Sequence, residues 1–412
     1  MTMSRTRRSS DATLGESAED FESSLACFTD AVFGSLRRAD QRRWAHAYVQ
    51  ALLTTPGKKS IRRLAQTVST STTAVQSLRQ LVSVSPWDWD EVLSALTHWA
   101  EQYRPDPVCA IGRAILPKRG ESSVGVHKYF DLPSGRTLKG QLGLGAFMSF
   151  GPAQVPVGWR LHLPAPWTEN ERLRRRARIP DTMPYRPMWA QALQLVDALG
   201  ARPAGMSATV VADMSNDPDV ALFAHGLGRR GREFVMTVPP NLTVLPVGES
   251  EPSTAARLLA RAGTALSTPE PVVVTGPDGN RRHTRMHAGL VHLPWTQRGP
   301  IGPPHRLFAE VLPDSRPGHL WVTSLAHQQL DSVASLASLA SSTASSVEGM
   351  ERDFGLLDFE GRSLPGWYHH MVLVSAAYAY ECLARHRPAR GHQQGSERAS
   401  VTQERKQEGS RA

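Results

Sequence analysis

The chain has 412 residues, of which 40% are hydrophobic and 21% are charged, and its formal net charge is +9 at pH 7. This length and composition are typical of a globular protein with two or three domains and exclude a wholly disordered chain. The positive charge favours a polyanionic partner such as nucleic acid. The start of the chain lacks the apolar stretch of a signal peptide, and no run approaches the roughly 18 apolar residues of a membrane span. We therefore expect a cytoplasmic protein without membrane contact.

The amino-terminal quarter of the chain is predicted to be helical. Residues 1–22 are polar and rich in Ser and Arg, which predicts a disordered arm. Residues 23–104 then follow a helical pattern, and two short apolar stripes joined by a Ser/Thr-rich turn predict a helix-turn-helix-like DNA-binding domain. An ordinary helical bundle with a solvated, charged face explains this pattern equally well. In the DNA-binding interpretation, the side chains that contact DNA are Lys58, Lys59, Arg62, Arg63, Gln76 and Arg79.

The rest of the chain alternates between strand and helix patterns. Residues 105–238 contain three strands, a helix, a strand, a helix and a strand, which is the order of a ribonuclease-H-like α/β mixed sheet. Pattern alone leaves several other mixed-sheet folds open. Residues 239–323 contain short strand-like segments between Gly/Pro turns and predict a β-rich insertion. Residues 324–385 return to two long helices, and residues 386–412 have the polar composition of a disordered tail.

Asp213 ends a short apolar run, residues 209–212, whose composition is that of a buried strand. A carboxylate at the carboxyl end of a central strand lies where open α/β sheets usually place their chemistry. The alternative is that Asp213 only caps the following turn. Asp213 is therefore a candidate catalytic or metal-binding residue.

A second basic segment lies between the predicted strands and the next helix. Five Arg residues fall within residues 172–178, and the side chains expected to contact phosphate are Arg174, Arg175 and Arg176. A solvated basic loop is the alternative. Arg362 follows a long Ser/Ala-rich helical stretch, residues 325–352, and is a candidate either for phosphate contact or for capping that helix.

The last predicted helix, residues 367–383, is strongly apolar and is expected to be buried. Trp367 and Tyr368 are predicted to pack it against the sheet. His369 and His370 have no carboxylate or cysteine at metal-ligand spacing, so they are predicted to be core or capping histidines.

Several segments resemble bacterial insertion-sequence transposases with a DDE catalytic core, most closely insertion-sequence family seven-hundred-and-one. Residues 354–380, F-G-L-L-D-F-E-G-R-S-L-P-G-W-Y-H-H-M-V-L-V-S-A-A-Y-A-Y, are similar to the terminal signature of that group. Residues 122–129, 155–164 and 174–180 resemble it as well, in the expected order. The resemblance implies a ribonuclease-H-like core, a β-rich insertion before the last catalytic helix and a helical DNA-binding domain. The implied partner is double-stranded DNA; a homodimer is left open, and no small-molecule cofactor is implied.

The resemblance also assigns the catalytic positions. Such transposases use three carboxylates that hold divalent metal ions, Mg²⁺ or Mn²⁺. The first position falls on Arg113, within residues 112–115, the second on Asp213 and the third on Ala344. Only Asp213 keeps a carboxylate, and a positive side chain a few Å from a metal ion opposes binding by roughly 4 kcal/mol per pair of charges. Glu348, one helical turn after Ala344, is a candidate substitute acid.

The implied fold makes a specific geometric prediction. In a ribonuclease-H-like sheet, the strand of residues 108–115 lies beside the strand that ends at Asp213. Arg113 is therefore predicted to form a salt bridge with Asp213 in place of metal.

The function that follows is a DNA-binding, nucleoid-associated protein of the transposase lineage whose catalysis is impaired. One alternative is an active transposase that holds metal with Asp213, Glu348 and an unassigned acid. The other is a protein scaffold that keeps only the fold and does not bind DNA.

Overall fold

The computed structural model describes residues 18–103, 108–131, 135–150, 153–200, 209–265, 269–293, 302–312 and 317–384. Most of the predicted arm and all of the predicted tail lie outside these ranges. The described helices are α1 (Ala18–Phe33), α2 (Ala39–Thr54), α3 (Ile61–Val68), α4 (Ala74–Ser83), α5 (Trp89–Glu101), α6 (Ala165–Glu169), α7 (Glu171–Ala177), α8 (Met188–Gly200), α9 (Val220–Gly228), α10 (Ala255–Ala265), α11 (Leu330–Asp353) and α12 (Leu364–Ala379). The described strands are β1 (Cys109–Pro117), β2 (His127–Asp131), β3 (Arg136–Phe150), β4 (Ala153–Leu161), β5 (Val210–Asp213), β6 (Phe234–Val238), β7 (Thr243–Pro246), β8 (Ser253–Thr254), β9 (Glu270–Thr275), β10 (Arg281–His292), β11 (His305–Val311) and β12 (Pro317–Thr323).

Helices α1 to α5 form the amino-terminal unit, which confirms the predicted helical character of this part of the chain. Each helix buries one apolar stripe, as Leu64 of α3 and Leu78 of α4 illustrate with 0% exposure. Asp88 begins α5 by accepting hydrogen bonds from the backbone N–H groups of Asp90 and Glu91. Helices α3 and α4 pack against each other and against α2, and α4 also packs on α12. None of the described helices combines the length and the apolar character that a membrane crossing requires.

The central sheet has the strand order β4-β3-β1-β5-β6, with β1 antiparallel to β3 and parallel to β5. The apolar runs of β1 and β5 place Ile111 opposite Ala212. Strand β3 is long enough to pair with β2 through its first half and with β4 through its second. This mixed α/β topology is consistent with the predicted ribonuclease-H-like fold.

The strands of residues 239–323 extend the central sheet. Strand β12 pairs with β6, so that Trp321 lies opposite Thr237, and β11, β10 and β7 continue from β12. The strand-like segments predicted for this part of the chain are observed as strands, among them β9 to β12. The segment also contains a helix, α10, because its Ala- and Leu-rich run has a helical rather than an alternating period.

The helices cover the sheet on two faces. On one face, Trp367 of α12 lies against Gly143 of β3, and Trp159 of β4 donates a hydrogen bond to Ser375 of α12 at 2.9 Å. On the other face, α8 approaches β4 at Gly158. Trp367 is 0% and Tyr368 4% exposed, so the prediction that these aromatic rings pack the last helix onto the sheet is confirmed.

The two adjacent histidines of α12 are core residues, as predicted. His369 is stacked on Trp87 with ring centroids 3.9 Å apart, and its ring nitrogens lie 2.9 Å and 3.0 Å from the carbonyl oxygens of Val82 and Trp87. Burial lowers the pKa of His369 and of His370 to about 4. Both rings are therefore neutral near pH 7, and His369 joins the core to the end of α4.

Candidate active site and nucleic-acid interface

Asp213 ends β5, and both of its carboxylate oxygens have partners. Oδ1 accepts hydrogen bonds from the backbone N–H of Ser215 at 3.0 Å, from the Ser215 hydroxyl at 2.7 Å and from the Thr237 hydroxyl at 2.6 Å. Oδ2 lies 3.4 Å from Nη2 of Arg113 on the neighbouring strand β1. The predicted Arg113–Asp213 pair is confirmed. Ser215 and Thr237 were not predicted as partners, although an Asp at a turn usually accepts a hydrogen bond from the backbone two residues further on.

The electrostatic environment keeps Asp213 ionised. Burial favours a higher pKa for this carboxyl, but the Arg113 guanidinium and the hydrogen bonds from Ser215 and Thr237 outweigh burial and lower the pKa below its ordinary value. The nearby Asp217 behaves in the opposite way, because burial raises the pKa of its carboxyl. The charge of Asp213 is therefore compensated by protein groups.

Helix α11 closes the face of β1 beside Asp213. An added Cβ at Gly112 would overlap Cγ2 of Thr343, so a side chain has no room on this face. The Thr343 hydroxyl donates a hydrogen bond to Oε1 of the fully buried Gln154, and Nε2 of Gln154 donates to the Leu339 carbonyl at 2.6 Å. These contacts fix α11 to β4 at the level where the third acid is expected. A single Gln in the otherwise apolar run of residues 153–159 was the signal that could have identified this contact.

Ala344, the predicted third catalytic position, and Glu348, its candidate substitute, lie on the exposed side of α11. Ala344 and Glu348 are both exposed. Glu348 follows Thr343 by five residues, which moves it about 7 Å farther along the helix from the contact with β1. Its charge acts on Glu351 and Arg352, near the end of α11. The structure therefore does not place Glu348 with Asp213.

The described residues around Asp213 do not fit a pair of divalent metal ions. Mg²⁺ requires several oxygen ligands in near-octahedral geometry. Here the Asp213 carboxylate is bound by a guanidinium and two hydroxyls, and β1 contains no acidic residue. Within the described ranges, no group of three or more His, Cys, Asp or Glu side chains could hold a metal ion.

A mixed sheet with a strand-end carboxylate in the crevice beside its first strand is consistent with a ribonuclease-H-like fold. A family model described as DDE superfamily endonuclease matches residues 31–292, which is more than half of the chain. The chain therefore belongs to the DDE superfamily endonucleases. The match begins in α1 and ends in β10, so it includes Arg113 and Asp213 but not α11. No curated protein matches the chain.

The predicted DNA-contacting side chains of the amino-terminal unit are mostly exposed. Arg63 is held through Nη2 by the Pro56 carbonyl at 2.9 Å, and Lys58 lies 4.0 Å from Glu360. Arg62, Gln76 and Arg79 of this unit are also exposed. Arg362, the predicted phosphate contact outside this unit, is exposed as well. These side chains are available to a partner.

Lys59 is a correction to the predicted interface. It is 6% exposed, and its ammonium donates hydrogen bonds to the carbonyl oxygens of Leu52, at 2.7 Å, and Thr55. Its backbone N–H donates to the Asp358 carboxylate at 2.6 Å. Burial lowers the pKa of Lys59, against the opposing charges of Asp353 and Asp358. Lys59 thus satisfies the carboxyl end of α2 and cannot reach a phosphate.

The Arg side chains of α7, the predicted Arg-rich segment, differ in their contacts. Some bond to the surrounding backbone, and others are exposed. Arg174 is another correction, because its guanidinium is 16% exposed and donates to the carbonyl oxygens of Thr168, at 2.8 Å, and Pro180. The exposed Arg175 pairs with Glu171, and Arg176 lies over the Trp167 ring at 5.8 Å. Arg175 and Arg176 therefore remain candidates for phosphate contact.

Arg178, at the end of α7, was not among the predicted site residues. Its backbone adopts a left-handed conformation with φ of 54°. Its guanidinium donates to the Ser83 carbonyl and, at 2.9 Å, to the Ser363 hydroxyl. Arg178 therefore connects the ends of α4 and α7 with the start of α12.

Proposed function

We propose that this chain is a duplex-DNA-binding protein of the transposase lineage that does not carry out metal-dependent strand cleavage or transfer. The observation that carries the proposal is the contact between Arg113 and Asp213. The family's chemistry needs several carboxylates around divalent metal, whereas this carboxylate has a cation and hydroxyl groups as its partners.

Three positions together argue against catalysis. The face of β1 next to Asp213 carries Gly112, over which Thr343 leaves no room for an acid. Ala344 has no carboxylate, and Glu348 is exposed on a different part of α11. The alternative of an active transposase needs two further acids next to Asp213, and the described residues supply no such group.

The exposed basic and amide side chains support DNA binding. Gln76 and Arg79 lie on the exposed side of α4, the second helix of the helix-turn-helix-like pair, and Arg62 is exposed on α3. In this type of unit the second helix reads base edges and neighbouring cations contact phosphates. The net charge of +9 favours the same partner.

A cleavage and strand-joining assay tests the catalytic half of the proposal. The full chain is incubated with supercoiled and linear duplex DNA in Mg²⁺ and in Mn²⁺, beside an Asp213→Ala variant. We expect no metal-dependent product above background from either protein. A product that the wild-type chain forms and the variant does not would defeat this half and support the active-enzyme alternative.

Filter binding to duplex DNA tests the other half. The affinity is expected to fall steeply between about 50 mM and 200 mM salt, because phosphate contacts release counterions. A protein scaffold of the same fold binds no duplex in this range. Absence of binding at the low-salt end would therefore support the scaffold alternative.

A further inference from the structure

A cavity of about 310 Å³ lies where the amino-terminal helices meet the core. Its walls come from the start of α5, the end of β4, the residues 180–186 before α8, α8 itself and α12. Asp213 and Arg113 are not among the lining residues. Small-ligand sites have volumes of about 300–1,000 Å³ and are frequently found at such junctions.

Gln191 of α8, one of the lining residues, contains a buried hydrogen-bond acceptor without a described partner. The residue is 5% exposed, and its Nε2 lies 2.9 Å from the Arg186 carbonyl and 3.3 Å from Nδ1 of His162. A carbonyl oxygen only accepts, so this contact fixes which end of the amide carries the nitrogen. Oε1 is the other end, and no residue in the described ranges donates a hydrogen bond to it. A ligand with an N–H donor satisfies it.

The guanidinium groups in the wall favour an anion of low charge. Arg160 lies 3.7 Å from the Asp90 carboxylate, so its charge is partly compensated. Arg186 is exposed and has no ion pair within the described part of the chain. The wall therefore offers about one uncompensated positive charge, which suits a monophosphate better than a triphosphate.

An aromatic surface completes the wall. Trp89 is half-buried and stacks on Tyr368 with ring centroids 4.6 Å apart and an interplanar angle of 5°. Trp89 is also one of the residues that line the cavity. Flat heterocycles stack on such rings, and a nucleobase adds N–H donors at its edge.

We propose that this cavity binds a nucleoside monophosphate unit. The base lies against Trp89 and donates an N–H to Oε1 of Gln191, and the phosphate lies at Arg186 and Arg160. A free mononucleotide and an unpaired nucleotide of a strand share this chemistry. The proposal does not depend on duplex binding through α4.

Titration calorimetry on the full chain tests the proposal with five probes: deoxyadenosine monophosphate, thymidine monophosphate, deoxyadenosine, inorganic phosphate and a short single-stranded oligonucleotide. At least one monophosphate or the oligonucleotide is expected to bind, and the nucleoside and phosphate alone to bind about tenfold more weakly or not at all. Binding of the oligonucleotide without the free monophosphates identifies the strand as the source. Saturation by a free monophosphate identifies the mononucleotide.

Two variants and two controls make the test specific. Arg186→Ala and Gln191→Met are each expected to weaken the monophosphate or oligonucleotide by about tenfold, because each removes one polar contact. Arg257→Ala removes an exposed Arg outside the cavity and is expected to leave the affinity unchanged. If circular dichroism shows that Gln191→Met does not fold, the Arg186→Ala variant alone decides the test, because Arg186 is exposed. Failure of all five probes to bind, or unchanged affinity in Arg186→Ala, overturns the proposal. Arg79→Ala retains this binding even where it weakens duplex binding.

Discussion

The Arg113 guanidinium lies 3.4 Å from the Asp213 carboxylate, at the point where the parallel strands β1 and β5 end their pairing. The two residues are a hundred positions apart, and the parallel pairing of their strands brings them together. The pair occupies the crevice where α/β sheets of this kind usually hold their ligands. We infer that a side-chain cation here takes the place that metal ions have in related nucleases.

Replacing Arg113 by Ala is expected to lower the free energy of unfolding by about 1 kcal/mol at pH 7, since the pair is partly exposed and screened. Asp213 has a lowered pKa in the folded protein, so its ionised form stabilises the fold. This contribution to the free energy of unfolding is complete above the ordinary carboxyl pKa of 3.8 and is lost as the pH falls through the lower pKa of the folded state. Urea denaturation of both proteins, at pH 7 and at acidic pH, measures this. Arg175→Ala, whose pair with Glu171 is exposed, is the control and is expected to change stability by less than about 0.5 kcal/mol. Equal stabilities of wild type and Arg113→Ala at pH 7 would contradict the assignment.

The contact of α11 with β1 predicts a coupled pair of substitutions. Gly112→Ala is expected to destabilise the fold by about 1–3 kcal/mol, because the new methyl group overlaps Cγ2 of Thr343. Thr343→Ser removes that methyl group and keeps the hydroxyl that bonds to Gln154. The double variant should therefore recover much of the loss, as a chemical-denaturation double-mutant cycle would measure. Strictly additive effects would mean that α11 does not lie on Gly112.

Lys58 and Lys59 are neighbours with different predicted effects. Lys59→Met removes the ammonium that donates hydrogen bonds to the carbonyl oxygens of Leu52 and Thr55 at the carboxyl end of α2. The substitution is expected to lower the free energy of unfolding by about 1–3 kcal/mol. Lys58→Met alters an exposed side chain and should change stability by less than about 0.5 kcal/mol. Thermal or urea unfolding distinguishes them. A stable Lys59→Met variant with weakened DNA binding would restore Lys59 to the interface.

Arg79→Ala is expected to weaken duplex binding and reduce the slope of log affinity against log salt by about 0.9 if Arg79 contacts one phosphate. If Arg79 instead reads a base edge, the loss is confined to specific duplexes and the slope is unchanged. Arg257→Ala, on the exposed side of α10, is the matched control. Filter binding across a salt series gives both quantities. Indistinguishable binding by Arg79→Ala and wild type would remove α4 from the interface.

The contact of Arg113 with Asp213 was predicted because the family resemblance implies a ribonuclease-H-like sheet, in which the two apolar runs are adjacent strands. The sequence also identified Trp367 and His369 as buried residues, since their helix is apolar on all sides. It could not separate the exposed Lys58 from the buried Lys59, because the separation depends on how the end of α2 meets Asp358, about 300 residues away.

The contacts between α11 and the sheet could not be predicted from the sequence for a similar reason. Gln154 and Thr343 come into contact because α11 packs on β4. Helix α11 consists largely of small residues, and its helical period does not specify which of them lies against Gly112. Helix α10 was missed because its segment lies among strand-like runs separated by Gly and Pro.

The most direct test of the central claim is an anomalous diffraction map from crystals of the full chain soaked in Mn²⁺. Because Asp213 is held by Arg113, Ser215 and Thr237, we predict no ordered manganese within coordination distance of its carboxylate. A well-occupied manganese ion bound by Asp213 and two further side-chain oxygens, with Arg113 displaced, would contradict the account.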